Sequence, residues 1–327
     1  MLSISIAERH WPMREPFAIA RGVQTEQATI MVTLTDAEGR FGRGEGCGVP
    51  YAGEDPAAMQ AAIRAVESEI CGLQRRSDLY RLLPPSGARC AVDCALWDLE
   101  AKQSGRRAWE AIGLAQLRPV VTALTIGIRD EHAYQAAAER YAAYPVLKVK
   151  VNAADPLAAL RAVRRGAPAA TLIVDPNQSW SVEQLRALAP RLADLGVALL
   201  EQPIPIGAEP GLDGYACPVP LCADELINDG GDLDKAQGRF SVINIKLDKT
   251  GGLTEAVAMA DAAQARGFDL MVGCMAGSSL SMAPALIVAQ RCRFVDLDGP
   301  LLQATDWPDG LVYDNGRIEP PPASFWG

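Results

Sequence analysis

Short apolar runs recur through the last two thirds of the chain, at 120–128, 146–151, 171–174, 197–200, 221–223, 242–245, 270–274 and 294–297. Each is rich in Val, Ile and Leu and too short for a buried helix, the pattern of a strand covered on both faces. The stretches between them read as helices. Ser181 opens a capping box with Gln184, and Leu185, Leu188, Leu192 and Leu195 form an apolar stripe that stops at Gly196. Asp155-Pro156 opens another helix, which Gly166 can close. With Thr125, Lys148, Asp175, Glu201, Asp224, Lys246, Gly273 and Asp296 as markers, the runs are 23, 27, 26, 23, 22, 27 and 23 residues apart. Eight strands alternating with helices at this spacing predict an α/β fold, a modified (β/α)8 TIM-type barrel.

The first third follows another pattern. Residues 28–36 are rich in β-branched side chains and run into Glu38-Gly39, after which 40–45 resumes, predicting a hairpin. Helical patterns follow at 56–70 and 88–105. The chain is therefore divided into an α+β N-terminal capping domain at 1–118, a barrel at 119–304 and a C-terminal return at 305–327 that packs on the cap. That return contains a hairpin at 310–320 turning at Asn315-Gly316. Gly42, Gly44, Gly46 and Gly48 alternate evenly and do not form GxGxxG, and GxxxxGK[ST] is absent, so a nucleotide loop is excluded.

Composition narrows the function. Hydrophobic residues make up 49% of the 327, enough for a large core. The 31 Lys and Arg against 40 Asp and Glu leave a charge of −9, which argues against a nucleic-acid partner. Two histidines, His10 and His132, cannot build a His-rich zinc site. The eight cysteines contain no CxxC pair, and Cys90 and Cys94 read as small buried thiols. No stretch nears the roughly 18 apolar residues of a membrane span, and the first residues lack a signal-peptide pattern. A soluble cytoplasmic protein with no membrane partner is expected; homo-oligomerisation is left open.

Barrel enzymes work at the C-terminal ends of their strands, and here charged residues end nearly every run. Lys148 and Lys150 lie on one side of strand two; Asp175, Glu201 and Asp224 end strands three, four and five; Lys246 ends strand six; Asp296 and Asp298 follow strand eight. Three carboxylates from successive strands, with no His or Cys beside them, suit a hard cation, and one Mg²⁺ per subunit is the expected cofactor. Lys150 and Lys246 flank that triad, and a lysine beside a divalent cation should have a lowered pKa useful to a base.

The motifs LKVKV (147–151), VDPNQSW (174–180), LLEQP (199–203), CADE (222–225) and NIKLDKTGG (244–252) resemble the enolase superfamily, in particular its muconate-lactonizing-enzyme-like subgroup, over essentially the whole chain. By that resemblance Asp175, Glu201 and Asp224 bind magnesium, while Lys150 and Lys246 act on opposite faces of a substrate carbon. One departure is Pro176, where relatives commonly have Ala; it should alter only the loop after the ligand. DLDGP (296–300) resembles the Asp-x-Asp motif of dipeptide epimerases, which implies that Asp296 and Asp298 hold a substrate α-ammonium. GCMAGSS (273–279) and PFAIARG (16–22) are similar to the L-Ala-D/L-Glu type of that family.

The implied activity is Mg-dependent inversion of the α-carbon of a dipeptide's C-terminal residue, by two-lysine 1,1-proton transfer through an enolate. A role in recycling cell-wall peptide would follow. Lys148 and Thr125 are the further substrate contacts expected at the strand ends. Arg21, the one cation of the 20–22 turn, is the candidate grip on a glutamate side chain. An o-succinylbenzoate synthase or an N-succinylamino acid racemase would use the same metal and lysines, but an Asp-x-Asp pair would repel their amine-free substrates. A Schiff-base lyase would leave the three carboxylates without a task. A non-catalytic binding barrel would not need both lysines and all three acids.

Overall fold

The computed structural model describes every residue except Met1 and Arg21. Its first part is a three-stranded antiparallel sheet, Ser3–Ile19, Gly22–Thr35 and Phe41–Cys47, in that order. The predicted hairpin is present, with Thr35 opposite Phe41. The long first strand escapes a period-two reading because charged residues and two prolines interrupt it, and its register shifts between Pro12 and Phe17.

The alternating glycines have a packing cause. The helix Gly87–Ser104 lies directly on the third strand, and no side chain fits between the two backbones. A Cβ at Gly42, Gly44 or Gly46 would fall 2.2, 2.2 and 2.1 Å from the carbonyl oxygens of Ala95, Ala91 and Gly87. Ile30, Val32 and Leu34 of the second strand complete that core with Ala91, Val92, Ala95, Leu96 and Leu99. Gly44→Ala is therefore expected to lower the unfolding free energy by about 1–3 kcal/mol, since neither neighbour is a movable side chain. Urea denaturation reads the difference against Gly72→Ala, whose Cβ would find its nearest atom at 3.6 Å.

Eight parallel strands follow: Leu124–Ile126, Val146–Lys150, Thr171–Asp175, Val197–Glu201, Leu221–Ala223, Val242–Lys246, Asp269–Gly273 and Phe294–Val295. They neighbour one another in chain order, and the Ala123 N–H donates to the Val295 carbonyl at 2.8 Å, joining the last strand to the first. The capping box at Ser181 and Gln184 forms as expected, and Gly196 leaves the helix Val182–Asp194 with φ 69°. The helix Pro156–Gly166 ends at Gly166 as expected, and a Cβ there would meet the Gln135 carbonyl of the preceding helix at 2.6 Å.

Two features differ from the sequence pattern. Val120–Val121 is not part of the first barrel strand; it pairs with the C-terminal hairpin, Ile318 opposite Val120. That hairpin turns at Asn315 and Gly316, as read from the sequence, but it lies with the barrel rather than the cap. Other residues of 305–327 do reach the cap: Trp307 meets Trp11 edge-to-face with ring centroids 5.7 Å apart, the Pro321 carbonyl accepts from Arg107, and the last residues dock there too. Phe325 and Trp326 are fully buried, Trp326 Nε1 donates to the Arg43 carbonyl, and the Gly327 N–H donates to Asp98. No described helix is long and apolar enough to cross a membrane.

Candidate active site

Side chains alternate along a strand, so each barrel strand offers the interior a column of residues two apart. At the lower end of these columns Ile173, Leu199, Cys222, Val242 and Met271 pack together. Two positions further along the third, fourth and fifth strands come Asp175, Glu201 and Asp224; on the sixth, Asn244 and then Lys246; on the second, Lys148 and Lys150. The same periodicity that builds an apolar plug thus lifts charged groups to the barrel mouth, where about 470 Å³ of cavity lies beneath the cap. Thr125, Lys148, Lys150, Lys246, Asp296 and Asp298 line it from the barrel, and Phe17, Ile19, Val23 and Tyr51 line it from the cap. Arg21 lies outside the described residues.

The three acids are wholly buried and paired with the lysines. Lys150 Nζ donates to Asp175 Oδ2 at 2.5 Å, and Lys246 Nζ to Asp224 Oδ2 at 2.8 Å. Lys148 Nζ stands between strands, 2.7 Å from Glu201 Oε2, 2.7 Å from Asp296 Oδ2 and 3.3 Å from Asp175 Oδ2. Among the described residues no three acids, histidines or cysteines are gathered around a common point; lysine ammoniums occupy the ground between the carboxylates.

Charge and burial oppose each other here. Burial alone would raise Asp224, but Lys246 and Lys249 hold it well below the usual carboxylate range. Burial likewise works against Asp175, yet Lys150 and Lys148 keep it low. Glu201 is the exception, raised to about 8 by burial and by Asp175 beside it. For Lys246, burial lowers the ammonium but Asp224 and Glu201 outweigh it, leaving it above the ordinary lysine value. The lowered lysine pKa expected from the sequence is not found here. Such a lowering requires a cation to draw the carboxylates' charge away from Lys246, and with the acids facing the ammonium directly the sign is reversed.

The residues nevertheless fit a hard cation. All donors are carboxylate oxygens, Glu201 Oε2 has no aligned hydrogen-bond donor, and the cavity-lining Asn177 has a buried, unpartnered Oδ1. Neighbours already hold the acids in place. The Asn177 N–H donates to Asp175 Oδ1 at 2.8 Å through a left-handed turn with φ 46°, and Asn244 Nδ2 donates to Glu201 Oε1 at 2.9 Å. Pro176 sits harmlessly in that turn, its carbonyl accepting from Ser179 N–H.

Lys249 donates to Asp224 Oδ1 at 2.7 Å and to the Ile227 carbonyl, and Gln202 Oε1 accepts the Asp224 N–H. These supports leave little trace in the local sequence. Only Asn244 carried a signal, standing two residues before Lys246 on the same strand face. Gly273 adds room: a Cβ there would lie 2.8 Å from Asn244 Oδ1 and 3.0 Å from Lys246 Cε.

At the eighth strand, the Thr125 N–H donates to Asp298 Oδ2 at 2.7 Å, and Asp296 takes Lys148. Burial and the neighbouring Asp296 raise Asp298 to about 7.

Comparison with known proteins agrees with this architecture. Residues 1–113 match the family profile described as mandelate racemase / muconate lactonizing enzyme, N-terminal domain, and residues 131–324 match enolase C-terminal domain-like. The chain is 41% identical over 320 residues to the L-Ala-D/L-Glu epimerase of Escherichia coli (strain K12), covering 97% of this chain and 99% of that one. It is 40% identical over 303 residues to the N-acetyl-D-glutamate racemase of a Pseudoalteromonas species, covering 91% and 95%. A solved enolase family member from Agrobacterium tumefaciens with homology to dipeptide epimerases, holding sodium and L-Ala-L-Glu, matches with a TM-score of 0.97 at 41% identity over 100% of both chains. The dipeptide epimerase of Methylococcus capsulatus, complexed with Mg and L-Arg-D-Lys, matches at 0.88 and 31% identity, over 98% and 97%. With a two-part fold and matches over nearly its whole length, this chain is an isomerase belonging to the mandelate racemase/muconate lactonizing enzyme group of the enolase superfamily.

Proposed function

We propose that the protein is a metal-dependent dipeptide epimerase that inverts the α-carbon of the C-terminal residue, with L-Ala-D/L-Glu as its substrate pair. The carrying observation is that Lys150 and Lys246 come from the second and sixth of eight strands, half a barrel apart, and line one cavity. A substrate α-carbon between them meets an amine on each face. One lysine takes the proton and the other returns one from the opposite side, so the configuration inverts and the reaction runs both ways.

Asp175, Glu201 and Asp224 would hold Mg²⁺, which supplies positive charge against the substrate carboxylate as electron density moves into it. Lys148, fixed among three acids, keeps a second positive charge at the cavity wall. Asp298, with Asp296 and Thr125, receives the α-ammonium. Both aspartates line the cavity, and the ammonium beside them, Lys148, is shared with Asp175 and Glu201, which supports this assignment. Arg21 remains, from the sequence, the residue proposed to take the glutamate side chain.

The Pseudoalteromonas relative favours a second reading, racemisation of an N-acylated glutamate. Such a substrate has a neutral amide where a dipeptide has an ammonium, and it offers Asp298 no cation. The test compares wild type and Asp298→Asn on L-Ala-L-Glu and on N-acetylglutamate. The wild type should strongly prefer the dipeptide, and the variant should lose about 2–5 kcal/mol of transition-state stabilisation on it, while N-acetylglutamate is little affected. Equal turnover of both compounds by the wild type would overturn the dipeptide reading.

A further inference from the structure

The cap does more than cover the barrel mouth: it grips the backbone that follows one of the two lysines. Lys246 ends its strand and opens a single turn, Leu247–Thr250, which leads through Gly251 and Gly252 into the helix Leu253–Ala265. That helix has no capping side chain of its own at Gly252. Its cap comes from the helix Gly87–Ser104. Asp93 accepts the Thr254 N–H at 2.9 Å and the Thr254 hydroxyl at 2.6 Å, while Trp97 Nε1 donates to that hydroxyl at 2.9 Å. One turn earlier, Arg89 donates to the carbonyls of Thr250 and Gly251 at 2.5 and 3.2 Å. On the adjacent strand, the Cys47 N–H donates to Asp248 Oδ1 at 2.8 Å.

Both glycines of the motif are explained by this grip. Gly251 and Gly252 have φ of 75° and 119°, and a Cβ would meet Arg89 Nε at 2.2 Å or Asp93 Cβ at 2.5 Å. Arg89, Asp93, Asp248 and Thr250 are all buried, so water does not compete for these bonds. The segment after Lys150 is held otherwise. Its carbonyl accepts from Tyr134 Oη at 2.6 Å and the Asn152 carbonyl from Trp180 Nε1 at 3.2 Å, both from barrel residues. Among the described residues, no cap group bonds to 150–155.

We propose that Arg89 and Asp93 are positioning residues for Lys246, so that the cap sets proton transfer at one face of the substrate while the barrel alone sets it at the other. This rests on the two-lysine reading. A flexible lysine stem is aimed by the backbone that carries it, and misplacement by about 1 Å can cost a hundredfold in rate. The strand holds Lys246 from one side; the Arg89 and Asp93 contacts hold the turn and helix start that follow it.

The experiment follows α-proton exchange into D₂O separately for each diastereomer of L-Ala-Glu, using the intact enzyme. Lys246→Ala first identifies the isomer whose exchange depends on Lys246. Asp93→Ala and Thr254→Val are then expected to slow exchange of that isomer roughly ten- to a hundredfold. Exchange of the other isomer and both KM values should stay near wild type, and Asp93→Asn, which keeps an acceptor for the Thr254 N–H, should recover part of the loss. If Asp93→Ala does not fold, the near-isosteric Thr254→Val decides alone. Parallel slowing of both isomers, or no slowing of either, overturns the proposal. If Lys150→Ala and Lys246→Ala abolish exchange of the same isomer, the two-lysine reading itself fails, a result distinct from either of these.

Discussion

Lys150→Ala and Lys246→Ala are each expected to reduce epimerisation by at least about a hundredfold, the lower range for losing a positioned general acid or base. Inversion needs both amines, because a proton taken from one face must be replaced from the other. Exchange with solvent needs only one. Each variant should therefore still wash the α-proton out of a single stereoisomer, and the two should differ in which. Mass analysis after incubation of each pure isomer in D₂O reads this directly. Retained epimerisation in either variant would falsify the two-base assignment. Loss of all exchange in both variants would likewise count against assigning one lysine to each face.

Removal of metal should have the second large effect. Three buried carboxylates on successive strands repel one another, and burial with Asp175 beside it raises Glu201 to about 8. A divalent cation bound there stabilises the folded state by mass action, about 2.7 kcal/mol at a hundredfold excess over Kd. EDTA treatment should abolish turnover and lower Tm, and added Mg²⁺ should restore both. Asp224→Asn should show no Mg-dependent rise in Tm, which separates loss of the ion from loss of a base. Full activity and an unchanged Tm in exhaustively stripped protein would refute the metal assignment.

The barrel was legible because its strand ends repeat at a spacing that any reader of hydropathy can measure, and charged side chains stand out at the end of an apolar run. Asp175, Glu201 and Lys246 were visible for that reason alone. The supports around them were not. Arg89 and Asp93 sit in a helix whose apolar stripe conceals them, and their partners Thr250 and Thr254 lie 161 residues away. Gly42, Gly44 and Gly46 were seen as a period-two row, but its cause is a helix about 50 residues later, packed against the backbone. Val120–Val121 was misallotted because two valines look alike whether they pair with a barrel strand or with a hairpin near residue 318. Local pattern specifies an element; contacts across the sequence decide its company.

The docking of residues 325–327 on the cap sets an order on synthesis. A chain leaves the ribosome N-terminus first, so the sheet and helix of the cap emerge well before the barrel strands. Yet Phe325 and Trp326 fill their pocket on the cap, and Asp98 gains the Gly327 N–H as a donor, only once residues 325–327 have themselves been made. The cap is thus completed by residues made long after its own sheet and helix.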